Sequence, residues 1–561
     1  MLNFQGVGVS PGRIVAAIRQ MPKPVSEPPV GEQLSAGTTP EEATAALKAA
    51  AQNVHDQLRE RSEKATGDGK AVLEATALMA KDTMLIKGAA KLINNGTSPE
   101  RAVWEAAASV SEMLHNLGGY MAERATDVLD VRARIVAELR GVPAPGIPAS
   151  DTPFILLAED LAPADTATLD PALVLALVTS GGGPQSHTAI IARSLGLPAV
   201  VAAHGVEALA DGTEVYVDGA AGTLNDQPSD DNRAAAQAWT TTAATLSEFD
   251  SNGTTADGHL VPLLANVGGA KDAVAAAAMG AQGVGLFRTE FCFLERDSEP
   301  TVEEQAAAYK AVFDAFPGKK VVLRTLDAGA DKPLPFLTDA TEPNPALGVR
   351  GYRTDFTSPG VLDRQLQAIA IAAQDSEADV WVMAPMISTA AEAAHFASMC
   401  ATAGIKTPGV MVEVPSAALT SASVLSEVNF ASLGTNDLTQ YAMAADRQLA
   451  PLAELNTPWQ PAVLRLVKLT VDGATEEGNG KTVGVCGEAA ADPALAVVLT
   501  GLGVNTLSMT ARALASVGAV LKTVTLAQAQ ELAQLALQAR TATEAREAVR
   551  AKLPVLAELG L

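Results

Sequence analysis

The sequence predicts an α/β protein in two parts: a compact α/β unit interrupted by an inserted helical bundle, followed by a (β/α)8 barrel. Three observations predict it. After residue 255, short apolar runs recur eight times, each followed by a loop and a helical pattern. Eight such alternating units over about 300 residues are the signature of a closed parallel barrel. Four strand-like runs lie between residues 154 and 218, and from 40 to 141 helical periodicity dominates without any strand pattern.

In chain order, residues 1–20 read as a strand and turn, and 21–40, rich in Pro, Gly and Ser, as a linker. The helical region breaks at Gly67–Gly69, Gly96–Pro99 and Gly118–Gly119, which gives about four helices. After Gly141 the texture changes, with strand runs at Phe154–Ala158, Leu173–Thr179, Ala199–Ala202 and Glu214–Asp218 and a helix between the second and third. Residues 1–20 are expected to join this sheet, which makes the bundle an insertion. The Ala-rich polar stretch 228–250 suits a helical connector. The expected division is therefore 1–22 with 142–227, the bundle 23–141, a linker helix 228–254 and the barrel 255–561. The eight barrel runs are Val261–Ala265, Gly283–Phe287, Val321–Leu323, Val380–Ala384, Gly409–Val412, Phe430–Leu433, Val483–Val485 and Asn505–Leu507.

The 561 residues carry a net charge of −24, which argues against nucleic acid, because phosphate backbones demand clustered Lys and Arg. An acidic surface suits a basic protein partner, and equally suits plain solubility. Cys292, Cys400 and Cys486 form a sparse odd set without a CxxC spacing, the pattern of a reduced compartment. No run approaches 18 apolar residues and the N-terminus lacks a long apolar region. No membrane insertion is expected, and the expected location is cytoplasmic.

In a (β/α)8 barrel, chemistry gathers where the strands end. The residues just past the runs are Asn266, Arg288, Arg324, Glu413, Asn436 with Asp437, and Cys486 with Glu488. Arg288, Arg324, Lys332, Arg350 and Arg447 are all within reach of the barrel mouth. Cations focused in one cavity repel unless an anion fills it, and guanidinium forks match phosphate and carboxylate. The alternative for each is a local acid: Glu290, Asp327 or Asp446. Glu413 and Asp437, at the ends of adjacent strands, suit a hard divalent cation that completes its shell with substrate oxygens and water. Otherwise they are structural partners of the arginines. Cys486 is either a small buried hydrophobe or a proton donor beside the anion site.

A second candidate lies at Thr179–Arg193, which reads as strand, glycine loop, then helix. His187 sits at the helix start, flanked by Ser186 and Thr188. There the helix dipole disfavours imidazolium, and backbone amides are ready to cradle a phosphoryl group. The bland reading is a capping or surface histidine.

These two sites together resemble the phosphoenolpyruvate-protein phosphotransferase family, the Enzyme I of bacterial sugar phosphotransferase systems. The resemblance is carried by GGGPQSHTAIIARSLGLPAVV at 181–201, GVGLFRTEFCFLERDSEPTVEEQ at 283–305, RTLDAGADKPLPF at 324–336, NPALGVRGYR at 344–353, VMVEVPSAAL at 410–419, SLGTNDLTQYAMAADR at 432–447 and VCGEAAAD at 485–492. It implies a swivelling α/β phosphohistidine domain with His187 as the phosphorylated residue. It implies Arg288, Arg324, Lys332, Asn436 and Arg447 around the phosphate of phosphoenolpyruvate, and Arg350 near the substrate. It further implies Glu413 and Asp437 as Mg²⁺ ligands, Cys486 as the acid that protonates the enolate, and Thr166 as a residue that orients the histidine. The family is a homodimer through the barrel, and its helical insertion docks the basic carrier HPr; Glu74 and Asp82 are candidates for that face. Two positions depart from the family pattern: Gln185, where Thr or another small residue usually precedes Ser-His, and Ala445, in place of a β-branched residue.

Three rival readings are weighed against this one, of which a lyase or aldolase using phosphoenolpyruvate on a barrel leaves the His187 unit unexplained. A dikinase or synthase needs a large nucleotide-binding domain, whereas 21–141 is short and helical and the chain has no GxxxxGK[ST] motif. A silent phosphoenolpyruvate sensor should have lost one of His187, Glu413, Asp437 or Cys486, and all four are present.

Overall fold

The computed structural model describes residues 2–561 apart from 65–75, 118, 149, 162–168, 184–185, 247–251, 295, 297, 329–333, 340, 448 and 477–479. The chain forms two compact units. One comprises residues 16–180 and 204–215, the other residues 1–15, 181–203 and 216–561.

Residues 1–20 form three strands, β1 (Asn3–Gln5), β2 (Val7–Ser10) and β3 (Arg13–Gln20), where the sequence predicts one strand and a turn. Gly6 and the Pro11-Gly12 pair interrupt what reads as a single apolar run.

In the smaller unit β3 pairs in parallel with β4 (Phe154–Ala158), and β4 with β5 (Val174–Thr179). Between β3 and β4 the chain runs through α1 (Pro40–Lys64), α2 (Thr83–Asn94), α3 (Pro99–Leu117) and α4 (Gly119–Arg140), with further helical residues at 76–80. Leu47, Val54 and Leu58 lie on one face of α1 and meet Leu85 and Ile93 of α2, Val103 of α3 and Val131 and Ile135 of α4 in one buried core. The Asp82 carboxylate caps α2, accepting from the amides of Met84 (2.8 Å) and Leu85 (3.0 Å). The predicted linker is fastened along the bundle. Arg101 of α3 holds Glu27 (2.7 Å) and the carbonyl of Pro28 (2.9 Å), and Ser98 donates to Glu32 (2.7 Å).

In the larger unit α5 (His187–Leu195) is followed by β6 (Ala199–Val201), which pairs antiparallel with β2. The C-terminal end of β7 (Glu214–Asp218) pairs with β8 (Thr223–Asn225), which pairs with β1. The predicted connector is α6 (Asp230–Leu246).

The barrel closes in sequence order: β9 (Leu263–Val267), β10 (Val284–Arg288), β11 (Lys320–Arg324), β12 (Asp379–Ala384), β13 (Pro408–Val412), β14 (Phe430–Leu433), β15 (Thr482–Val485) and β16 (Thr506–Met509). All neighbours are parallel and β16 returns to β9. All eight predicted runs overlap a strand. The first starts two residues late, at Leu263, because Pro262 has no amide to donate to a neighbouring strand. Leu286, Val322, Met383, Met411 and Phe430 fill the interior beneath Cys486. Among the described residues no helix is long and apolar enough to cross a membrane.

Candidate active site

The carboxyl ends of the barrel strands carry the candidate site. Arg288 and Arg324 are the last residues of β10 and β11 and stand opposite each other in register. Glu413 follows β13, Asn436 and Asp437 lie in the first turn of the helix Thr435–Met443 after β14, and Cys486 follows β15. β13 and β14 are neighbours, so Glu413 and Asp437 share one sector of the rim.

Behind the rim the charges alternate. Arg324 contacts Glu290 (2.9 Å) and Asp327 (3.0 Å). Arg350 reaches Asp327 (2.9 Å) and Asp437 (2.8 Å), and Arg447 reaches the other oxygen of Asp437 (3.3 Å). The local acids Glu290 and Asp327 thus partner the arginines, and repulsion between cations is answered inside the protein. Burial opposes charge on Arg324 and Arg350, but the neighbouring carboxylates outweigh it and hold both guanidiniums above their ordinary range. Arg288 differs. Its guanidinium has no hydrogen bond or ion pair among the described residues, so it is available to an anion.

Glu413 is buried, and its Oε1 accepts from the Met386 amide at 2.7 Å. Its Oε2 is buried without a hydrogen-bond partner. Gly434 makes room for that oxygen, since a Cβ there would stand 2.9 Å from it. Burial, then the charges of Asp437 and Asp327, raise the Glu413 carboxyl to about 8, against the pull of Arg324 and Arg350. An unpartnered buried carboxylate oxygen beside further acids is a place for a cation, and the two carboxylates fit a divalent ion that takes its other ligands from substrate and water.

Cys486 is buried; its thiol lies 3.6 Å from the Leu433 carbonyl. Burial raises its pKa, partly offset by a hydrogen bond with Ser432, so at neutral pH it retains the proton a donor needs. Asn266 donates to the Cys486 carbonyl (3.0 Å), fixing the strand end.

His187 is the first residue of α5. Ser186 is its N-cap, with its hydroxyl accepting from the Ala189 amide at 3.3 Å. Of the other sequence-derived candidates, Lys332, Thr166, Glu74 and Gln185 lie outside the described residues. Ala445 is buried in the barrel unit. Asp82, a candidate docking residue, has its carboxylate engaged as a helix cap.

The family described as PEP-utilising enzyme, PEP-binding domain, matches residues 244–526; the corresponding mobile domain matches 151–222 and the N-terminal domain 5–124. The phosphoenolpyruvate-protein phosphotransferase of Streptomyces coelicolor is 51% identical over 538 residues, covering 95% of this chain and 96% of that one. The chain belongs to the phosphoenolpyruvate-protein phosphotransferase family. Its counterpart from Haloferax volcanii is 40% identical over 87% of this chain and 88% of its own, and that of Staphylococcus carnosus 36% identical over 86% and 87%. This chain is an enzyme of that family.

Sequence reasoning passed over the Met386 amide, Ser432 and Tyr441, whose hydroxyl accepts from Arg350 at 3.4 Å. Only contact in the fold identifies them. It named Glu488 as a strand-end residue without giving it a task, although its place two residues after Cys486 was a signal.

Proposed function

We propose that this enzyme takes the phosphoryl group of phosphoenolpyruvate onto His187 and passes it to a histidine of the small carrier HPr, the first step of sugar uptake by a phosphotransferase system. The observation that carries the reading is the rim itself: at the strand ends stand a guanidinium and a buried carboxylate oxygen that have no partner among the described residues, and a buried thiol.

In this reading Arg288, Arg324, Lys332, Asn436 and Arg447 hold the phosphate, and Arg350 holds Asp437 in place beside the substrate. Glu413 and Asp437 are the residues that would hold Mg²⁺, which when bound neutralises charge on the substrate's oxygens. The His187 imidazole attacks phosphorus in line; the P–N bond forms as the bond to the enol oxygen breaks. The enolate carbon takes the Cys486 proton, which yields pyruvate, and the thiolate regains a proton from water. Thr166 orients the imidazole. The histidine must then face a second protein, so the α/β part, residues 1–22 and 142–227, swings about a hinge region at 226–256, and HPr docks on the bundle 23–141. Leu347, Phe356 and Leu419, exposed on the barrel unit, support a homodimer through the barrel, and three unpaired thiols support a cytoplasmic setting.

The test is incubation with radiolabelled phosphoenolpyruvate and Mg²⁺ beside a His187→Ala variant. An acid-labile, base-stable label on the parent protein alone is expected. A folded parent that takes no label overturns the proposal.

A further inference from the structure

Helix α5 is held to the barrel rim by a contact that the phosphoryl chemistry does not itself require. Arg193, six residues after His187, places its Nε 2.9 Å from Glu488 Oε2. Both side chains are largely buried, at 13% and 21% exposure, so the pair is only partly screened by solvent. Glu488 opens the short helical turn Glu488–Ala491 that follows Cys486, and its amide donates to Asn436 Oδ1 at 3.2 Å. One residue therefore touches both the predicted phosphate site, through its backbone, and the histidine helix, through its carboxylate. Two neighbouring contacts define the seat. Arg193 also donates to the Val9 carbonyl at 3.4 Å. At the far end of α5, Gly196 adopts φ +69°, and a Cβ there would lie 3.3 Å from the Arg512 side chain in the turn after β16. The helix is thus gripped between the loops that follow β15 and β16.

We infer that Arg193 and Glu488 are positioning residues: their ion pair latches α5 to the barrel rim for transfer from phosphoenolpyruvate and opens before transfer to the acceptor protein. This rests on the proposed reaction. It adds that the two half-reactions place opposite demands on one salt bridge. Attack on phosphorus needs α5 docked, so the pair lowers the barrier to the first step. Delivery to a second protein needs α5 released, so the pair contributes nothing to the second step. A residue needed only for folding would impair both alike.

The experiment uses the full chain in three forms: parent, Glu488→Gln and the charge reversal Glu488→Arg with Arg193→Glu. Glu488→Gln keeps the shape and the backbone bond to Asn436 and removes only the charge. Single-turnover labelling from radiolabelled phosphoenolpyruvate is expected to slow by about tenfold in Glu488→Gln, the scale of one lost charge-assisted hydrogen bond, and to recover in the reversal. Transfer from the isolated phosphoenzyme to purified HPr is expected to be unchanged or faster. Equal labelling rates in parent and Glu488→Gln, or equal losses in both half-reactions, overturn the latch. A readout independent of activity separates this from the reaction itself: spin labels at Ile190→Cys and Leu455→Cys, in a Cys292→Ser background. They should give one short distance in the parent and a longer, broader distribution in Glu488→Gln. Identical distributions overturn the latch even if the parent takes no label, whereas an unlabelled parent alone overturns the reaction.

Discussion

Two arginines, one in the helical bundle and one in the barrel, are each held by two carboxylates, yet they do different work. Arg101 on α3 pairs with Glu27 and Glu105 at 2.7 Å, but those acids are 54% and 39% exposed. Arg350 pairs with Asp327 and Asp437 at 2.9 and 2.8 Å, and its partners are 4% and 8% exposed. In the bundle, water shares the charges and the arginine staples a Pro-rich segment to a helix. At the barrel rim the side chains are largely withdrawn from solvent, so each charge depends on the next along the series from Glu290 to Arg447. A buried chain of this kind is weak support for stability but a rigid frame for chemistry.

The largest expected effect tests that contrast directly. Arg350→Met leaves Asp327 and Asp437 buried with one partner fewer and is expected to cost about 3–5 kcal/mol in urea unfolding, with loss of labelling from phosphoenolpyruvate. Arg101→Met, whose partners remain hydrated, is expected to cost about 1–2 kcal/mol and to leave labelling intact. Equal costs would remove the distinction.

Next is the pH dependence of the rim. Glu413 is raised from 4.5 to about 8, so it holds its proton more tightly in the folded chain than in the unfolded one. Its contribution to stability is full below its unfolded value and is lost as pH rises through the folded one. A cation must displace that proton. Mg²⁺ affinity, followed by calorimetry in steps from about pH 6 to about pH 9, should therefore rise and level off near the folded value. Glu413→Gln should bind weakly throughout. Flat affinity in the parent would dissociate Glu413 from the metal.

The smallest effect returns to the bundle. Asp82→Ala removes the cap of α2 and is expected to cost about 1 kcal/mol in thermal unfolding, with phosphoenolpyruvate labelling unchanged. If transfer to HPr also falls while stability is kept, the carboxylate contributes to docking as well as to the cap.

The barrel was legible because each strand is a compact apolar run bounded by polar loop residues, and burial on both faces leaves little room for another reading. The first twenty residues were less legible, since strands of three and four residues give too short an alternation to count. The 21–40 segment read as a free linker because its anchor, Arg101, is some seventy residues away. At the rim, residue types and strand-end positions named Arg288, Arg324, Glu413, Asp437 and Cys486 as candidates, and all five do lie at or just past the strand ends. Sequence could not choose between anion and local acid for each arginine, because that depends on which carboxylates the closed barrel brings within 3 Å.

The sequence by itself determined the elements, their order and the chemical types presented at the strand ends, because apolar periodicity and glycine or proline breaks act over a few residues. Only the tertiary structure decided how the charges are shared. It placed Asp437 between two arginines, left one oxygen of Glu413 and the guanidinium of Arg288 without a partner among the described residues, and set Arg193 against Glu488. Those outcomes follow from barrel closure, which joins residues far apart in the chain at distances where desolvated charges interact strongly, and no local pattern encodes such distances.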